Sequence, residues 1–480
     1  MHNLQKHFII LHEYVKCNGK GGEKVANIPK SVREVLETLT AAGHEAWCVG
    51  GCVRDTLLGR TPEDWDVTTS ALPEETMSLF GRRALPTGMK HGTVTVRTDR
   101  GGVEVTTFRC DGAYHDHRRP DTVIFTRSLE EDLWRRDFTV NAMAYHPDTG
   151  LVDAFHGRED LAAGVIRCVG DPGKRFGEDA LRILRALRFA SVYGFAMEEQ
   201  TARAVHSLKT TLHGVAAERI RVELGKLLCG RGAEAILRDC ADVIMEVLPA
   251  LSPMKDFDQR TPYHRYDVWE HTIRTVGAVQ PVEALRWTML LHDSGKPACF
   301  TLDEKGQGHA FGHGEKSVKI AREVMADLRV DNATRDRVLT LVARHDMPLS
   351  DRPRVLRRCL HDMGEETLRQ LIEVQRADER GKGVHPMEEI DARAQALNAA
   401  LDAVLATNPC VTLRQLAVRG SDLTVAGIPG GKAVGECLRY LLEQVMEDTL
   451  PNDRDALLRA ASEWVKNGMP QGGNEGGYQS

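Results

Sequence analysis

The stretch EAWCVGGCVRDTLLG, residues 45–59, constrains the fold more than any other part of the chain. An apolar run of strand character meets Gly50 and Gly51, and a short helical pattern follows and stops at Gly59. Strand, glycine turn and helix in such close succession demand a backbone reversal that residues with a Cβ resist. The turn also leaves free N–H groups at a helix N-terminus, where an anion such as phosphate is stabilised. Arg54, one turn into the helix, is placed to clamp a phosphate oxygen. Taken alone, a glycine pair is an ordinary turn. The residues just beyond it narrow the reading. In DWDV, Asp64 and Asp66 lie two apart and share a face if the segment is extended. Two converging carboxylates repel unless a cation sits between them. Mg²⁺ takes few protein carboxylates and completes its shell with phosphate oxygens, and a pair of such ions can activate a hydroxyl and stabilise a leaving pyrophosphate. Glu104, in VEVTTF, lies on a strand expected beside the first and offers a third carboxylate for orienting or deprotonating a hydroxyl nucleophile. Read singly, the acidic pair is also compatible with a solvated turn, and Glu104 with a surface strand position.

The pattern from Pro29 to about Phe155 is mixed α/β. SVREVLETLTAAGH has helical apolar spacing, while DWDVTTS, HGTVTVRT and GVEVTTFR alternate as strands do. The polar, turn-rich segment between Arg109 and Phe125 reads as a long mobile loop. Helical patterns dominate thereafter, broken near the end by the glycine-rich GSDLTVAGIPGGKAVG. The expected organisation is an N-terminal extension (1–28), an α+β head (29–155), a helical neck (156–251), a histidine-rich helical block (252–385), a helical tail (386–465) and a disordered end (466–480). The formal net charge is −6 over 480 residues, so nucleic-acid binding needs a local patch rather than a global basic surface. The neck segment from Arg167 to Lys226 carries such a mild basic excess. The eleven cysteines are irregularly spaced and are expected to stay reduced; Cys48 and Cys52 have no second pair to complete a zinc site. No apolar run reaches membrane-spanning length, and the N-terminus lacks a cleavage signal, so a cytoplasmic location with no membrane partner is expected. The oligomeric state is not legible.

In GEDALRILRALRFA, residues 177–190, Asp179, Arg182, Arg185 and Arg188 recur every three residues. On a helix they form a winding polar stripe, with Ala180, Leu184 and Leu187 on the buried face. Three arginines so spaced also read as a solvated face. The more specific reading rests on hydrogen-bond polarity: a carboxylate accepts and a guanidinium only donates. Cytosine and adenine each present an amino donor beside a ring-nitrogen acceptor; uracil and guanine reverse that order. An Asp179–Arg182 pair therefore suits C and A and rejects U and G, with Arg185 and Arg188 binding phosphates or holding the pair. A third group of residues comprises His271, the adjacent His292 and Asp293, His313, His345 and Asp378. Imidazoles with carboxylates suit a divalent transition metal better than Mg²⁺. Lys296 is placed to hold a phosphate there, whereas His264, His309 and His385 read as ordinary surface residues.

The motifs GGCVRDTLLG, the spaced DWD, VEVTTFR, RRDFTVNAMA, DAFHGREDL and EDALRILRALRFA, in that order, resemble the class II tRNA nucleotidyltransferases, the family of CCA-adding enzymes and bacterial poly(A) polymerases. The resemblance spans roughly Pro29 to Leu251. It implies a polymerase-beta-like α+β head with a mixed sheet, followed by an all-α neck, body and tail. It also implies template-independent addition of C, C and A to the 3′ end of tRNA from CTP and ATP, with Mg²⁺ as cofactor and release of pyrophosphate. By the same resemblance, Asp64 and Asp66 match the metal-binding pair, with Glu104 a softer match. Gly51 and Arg54 match the nucleotide-contacting turn, and Arg136 a nucleotide-binding arginine. Asp179, Arg182, Arg185 and Arg188 match the base-reading helix. The loop DGAYHDHRRPDTV resembles the family's flexible loop. Poly(A) polymerase and CC-only or A-only addition are the near alternatives; the short, non-basic tail favours tRNA. The histidine block resembles the HD metal-dependent phosphohydrolases, with His271, His292, Asp293 and Asp378 as ligands and His313 and His345 as further candidates. A more distant alternative makes that block the main activity. A non-catalytic RNA-binding role is disfavoured by the intact Asp64 and Asp66.

Overall fold

The computed structural model describes residues 28–111 and 123–466. The expected N-terminal extension, the disordered end and most of the expected mobile loop lie outside the described residues. The chain divides into two compact units. The first runs to Pro253 and includes Pro281–Glu283 and Glu323–Asp331; the second comprises the rest.

In the first unit, helix α1 (Lys30–Ala41) starts at Pro29, whose carbonyl accepts from the Val32 and Arg33 amides. It lays Val32, Val35, Leu36 and Leu39 against the sheet. Each such buried aliphatic side chain contributes about 1.5–3 kcal/mol of transfer free energy. The sheet has seven strands in the order β3 (Ala84–Gly88), β4 (Thr93–Thr98), β5 (Gly101–Thr107), β2 (Asp66–Thr69), β1 (Ala46–Val49), β8 (Ala144–His146), β9 (Gly150–Val152). Only β2 and β5 pair in parallel, and the remaining neighbours are antiparallel. Period-two alternation drives this: Val94, Val96, Val103 and Val105 point into the core while Thr95 and Glu104 point away. The flanks of the expected loop are more ordered than a mobile segment, because β6 (Arg109–Asp111) and β7 (Val123–Phe125) pair as a two-stranded ribbon.

Around the sheet lie α2 (Gly51–Leu57), α3 (Pro73–Phe80), α4 (Leu129–Trp134) and α5 (Gly157–Ala163). They are followed by α6 (Pro172–Glu178), α7 (Leu181–Tyr193), α8 (Glu199–Ser207), α9 (Ala217–Leu228), α10 (Ala233–Asp239) and α11 (Ala241–Val247). The second unit is helical apart from one short ribbon, Thr301–Leu302 with Gly308–His309. The helices that matter below are α12 (Val268–Ala278), α13 (Glu283–Leu291), α14 (Lys296–Cys299), α15 (His313–Asp327), α16 (Asn332–Arg344) and α17 (Pro353–Lys382). Gly364, at φ 74°, interrupts α17. A separate apolar cluster, including Leu423, Cys437, Leu441 and Leu457, holds the last helices together. No helix among the described residues is long and apolar enough to cross a membrane.

Candidate active site

Gly50 adopts φ 77° and ψ −127°, a conformation open to glycine and strained for other residues. A Cβ on Gly50 would also lie 3.1 Å from Nη1 of Arg136, so the bare backbone lets that guanidinium settle on the turn. Arg54 is buried beneath the same turn. It donates to Asn141 Oδ1, pairs with Asp55 at 3.0 Å, and lies over the rings of Phe189 and Tyr193 at 5.1 and 4.7 Å.

Asp66 opens β2 and stands opposite Glu104 in the parallel register with β5. Burial, and next the charge of Glu104, push the Asp66 carboxyl above the ordinary carboxylate range; Arg136 opposes this and Asp64 adds to it. The group is short of positive charge as the chain arranges it, which fits a site for a divalent cation. Asp64 departs from the expected arrangement. It precedes the strand and is exposed, because regular pairing begins only at Asp66. Two groups among the described residues bring at least three metal-ligand atoms within 4.8 Å of one another, and the head carboxylates are not among them.

The arginine stripe also differs from the expectation. Asp179 does not lie on the helix with the arginines: it sits in the extended link between α6 and α7, at φ −141°. Its carboxylate accepts from the Leu181 amide at 3.1 Å and from the Arg219 guanidinium at 2.7 Å. The arginines face protein rather than water. Arg182 pairs with Glu178 and donates to the carbonyls of Arg175 and Arg135 at 3.0 and 3.1 Å. Arg185 donates to Asp137 at 2.7 Å, and Arg188 to Glu223 at 2.5 Å. Burial alone would raise the Asp137 carboxyl, but the charge of Arg185 and the Asn141 amide outweigh it and hold the group below the ordinary range. Asn141 thus ties the two halves of the site: its oxygen accepts from Arg54, and its Nδ2 donates to Asp137 at 3.0 Å. Asp137, Asn141, Glu178, Arg219 and Glu223 were not anticipated as site residues. Sequence signals existed for Asp137 and Asn141, which lie within RRDFTVNAMA, and for Glu178, next to Asp179 and one helical turn before Arg182; none existed for Arg219 and Glu223.

In the second unit, His271 on α12, His292 and Asp293 just after α13, and Asp378 on α17 converge. His271 Nε2 lies 3.2 Å from His292 Nε2, 3.2 Å from Asp293 Oδ2 and 3.0 Å from Asp378 Oδ1. The His292 Nδ1 donates to the Met289 carbonyl at 2.8 Å, which turns Nε2 inward. Burial opposes the charged His292 imidazole, but Asp293 beside it prevails and takes it up to about 9. Lys296 and Lys382 reach Asp293 and Asp378 at 2.6 and 3.0 Å. The two lysines thus bring positive charge to the two carboxylates of the cluster. His313 and His345 group with Asp293 on its other side. His264 is not the surface residue expected. It packs edge-on to His271 with ring centres 5.2 Å apart and contacts Lys296, and burial followed by the Lys296 charge lowers it to about 3.

Comparison with known proteins matches residues 46–167 to the poly A polymerase head domain and residues 194–251 to a probable RNA and SrmB-binding site of polymerase A. Residues 314–461 match a putative tRNA nucleotidyltransferase domain 2. The chain is 35% identical to the CCA-adding enzyme of Limosilactobacillus fermentum over 92% of its own length and 100% of the relative's. It is 36% identical to that of Levilactobacillus brevis, over 90% of this chain and 97% of that one. The fold is similar to the crystal structure of the Bacillus stearothermophilus CCA-adding enzyme in complex with CTP. That similarity has a TM-score of 0.69 and 30% identity, and it covers 91% of this chain and 98% of that one.

Proposed function

Because this chain belongs to the CCA-adding enzyme family, we propose that it adds C, C and A to the 3′ end of tRNA from CTP and ATP without a template. One observation carries the reading beyond family membership. The glycine turn and the arginine helix belong to one hydrogen-bonded assembly, joined by Asn141 between Arg54 and Asp137. Asp66, opposite Glu104 in the sheet, lies within reach of the Arg136 charge that rests on the same turn.

In this reading the Gly51 N–H, with Arg136, holds the triphosphate, while the Gly50 N–H is taken by the Met143 carbonyl at 3.2 Å and Arg54 supports the turn from below. Asp64 and Asp66 would hold Mg²⁺, which supplies charge to neutralise the triphosphate and the departing pyrophosphate. Glu104 orients the tRNA 3′-hydroxyl or accepts its proton. The 3′-oxygen bonds to the α-phosphorus, the α–β bridging bond breaks, and pyrophosphate leaves. Asp179 and Arg182 offer an acceptor and donors to the base edge. Arg219 and Glu178 hold those two side chains ready, and Arg185 and Arg188 brace them through Asp137 and Glu223.

The second unit is, in the same reading, an HD-type block in which His271, His292, Asp293 and Asp378 hold a divalent transition metal. The donor set supports this, with two imidazoles and two carboxylates whose ligand atoms converge. The deciding experiment incubates the protein with Mg²⁺, labelled CTP or ATP, and tRNA transcripts lacking all, two or one of the terminal nucleotides. Stepwise completion to CCA is expected, and Asp64→Ala should abolish it while tRNA binding persists. Failure to extend any transcript would overturn the reading; long A tracts on unrelated RNA would establish a poly(A) polymerase instead.

A further inference from the structure

Two arginines of the first unit differ from their neighbours in how their charge is met. Arg54, Arg135, Arg136, Arg185 and Arg188 each pair with a carboxylate. Arg60 and Arg231 are exposed and, among the described residues, neither pairs with one. Both are nevertheless held on a single residue, Tyr193, the last of α7. The Arg60 guanidinium lies over the Tyr193 ring, 4.8 Å from its centre. The Arg60 backbone is fixed where α2 ends, its amide donating to the Asp55 carbonyl at 2.8 Å. Arg231 donates from Nη2 to the Tyr193 carbonyl and lies across Gly194. Gly194 has φ 59°, and a Cβ there would stand 2.7 Å from Arg231 Nε, so the bare backbone admits the guanidinium. Burial, and next the charge of Arg60, lower the Arg231 guanidinium from its ordinary value. Two like charges are thus fixed near enough to repel, and an anion lodged between them would relieve the repulsion.

We propose that Arg60 and Arg231 form a second phosphate site in the first unit, apart from the glycine turn, and that it takes a backbone phosphate of tRNA. The inference rests on the nucleotide-addition reading given above, which makes tRNA the substrate. Guanidinium suits this ligand, because its planar fork of donors matches the phosphate oxygens. Exposure decides between a free nucleotide and a chain of phosphates. A small ligand is held where walls enclose most of its surface. Two solvent-facing arginines suit a polyanion instead, whose binding is driven by release of its condensed counterions. The surface beside Arg231 has room for a strand. A cavity of about 920 Å³ opens there, and Gly194, Ala196, Ala202, Gly232 and Ala235 line it with side chains too short to hold a backbone away. Tyr193 connects this site to the glycine turn. Its hydroxyl donates to Asp55 at 2.8 Å, and Asp55 pairs with Arg54 beneath the turn. The bound tRNA is thereby registered against the side chains that support the turn.

The test measures tRNA binding to the full chain by fluorescence anisotropy, over a range of KCl concentrations, with a transcript lacking CCA. Log Kd rises with log salt by about 0.9 for each duplex phosphate contacted. The slope should therefore flatten by about one in the double variant Arg60→Ala, Arg231→Ala. Arg60→Glu should weaken tRNA binding more than Arg60→Gln, because the reversed charge repels the phosphate. Equal effects of the two would mean that Arg60 only packs on the ring, and would overturn the proposal. Melting temperatures check folding, and the Arg60 variants, which leave the Arg231–Tyr193 bond in place, carry the test even where Arg231→Ala does not fold. An unchanged slope and Kd in the double variant would also overturn the site. A second arm measures equilibrium binding of CTP without tRNA, which should not change. Weaker CTP binding in Arg60→Gln, with tRNA binding intact, would assign the site to the free nucleotide and overturn the tRNA assignment. A parent chain that binds no tRNA would overturn the functional reading above, and this site with it.

Discussion

Replacing Asp137 by Asn changes one oxygen to an NH₂ group in a position where every partner is a donor. Oδ2 accepts from Arg185 at 2.7 Å, while Oδ1 accepts from the Phe138 amide at 2.9 Å and from Asn141 at 3.0 Å. Whichever way the new amide turns, it sets donor against donor on one side. Breaking a buried ion pair from one end costs about 3–5 kcal/mol. Arg185 is 33% exposed and keeps Glu223 at 3.8 Å, which screens and partly replaces the lost charge. The expected cost is therefore about 2–3 kcal/mol, the low end of that range after discounting for solvent. Hydrogen exchange of the α7 amides is the suitable assay, because it reads this region rather than averaging over two units. Protection should fall roughly 30- to 150-fold at the usual tenfold per 1.4 kcal/mol. Nucleotide addition should fall for CTP and ATP together, since Asp137 braces the assembly and does not face one base. Unchanged protection in α7, with addition also intact, would refute the idea that Asp137 holds the arginine helix in place.

Gly50→Ala introduces a Cβ at φ 77° and 3.1 Å from Arg136, a strain of about 1–3 kcal/mol. It should lower the melting temperature and raise KM for CTP and ATP alike; KM values unchanged in steady-state kinetics would remove the turn from the triphosphate site. A pH effect follows from Asp66, whose raised value favours the protonated form in the fold. The sign is fixed. Its ionisation opposes folding as pH rises through the folded value, and protons compete with the cation as pH falls towards it. The Mg²⁺ concentration needed for half-maximal addition should therefore climb on acidification, and a flat Mg²⁺ titration across pH would contradict the metal role of Asp66. Asp137, being lowered, acts in the opposite sense: its stabilisation is present above the ordinary carboxylate range and is lost only as pH falls through its depressed value.

Local pattern made the strands and the glycine turn readable. Val94, Val96, Val103 and Val105 alternate because one face of the sheet is buried, and Gly50 is needed because the strand ends in a conformation other residues resist. Local pattern also misplaced two residues. Asp64 and Asp66 look like one extended pair, yet pairing starts at Asp66 because the parallel partner β5 meets β2 there, at Glu104. Asp179 looks like the first member of a three-residue stripe, yet the chain leaves α6 before it and re-enters a helix after it. The alternative of a solvated arginine face is the one the side-chain partners exclude. Those partners are distant along the chain: Asp137 lies 48 residues from Arg185, Glu223 35 from Arg188, and Arg219 40 from Asp179. Helical periodicity carries no information about partners brought in from other elements.

On the proposed roles, those distant partners would let these side chains choose a base without a template strand. A free arginine samples many rotamers, and fixing it on binding costs up to about 2 kcal/mol of side-chain entropy. Here Arg182, Arg185 and Arg188 are each already held by a carboxylate, and Asp179 by a guanidinium. The ordering cost falls on folding rather than on each incoming nucleotide, so the acceptor and donor at the base edge keep a fixed geometry. A wrong base then meets side chains that do not readily turn to suit it, and mismatched hydrogen-bond polarity leaves buried groups unsatisfied, which is costlier than a lost contact. Through Asn141 the same network reaches Arg54 under the glycine turn. In the proposed reading, base recognition and phosphate placement are set by one assembly, and perturbing Asp137 should then damage addition of both nucleotides rather than exchange one for the other.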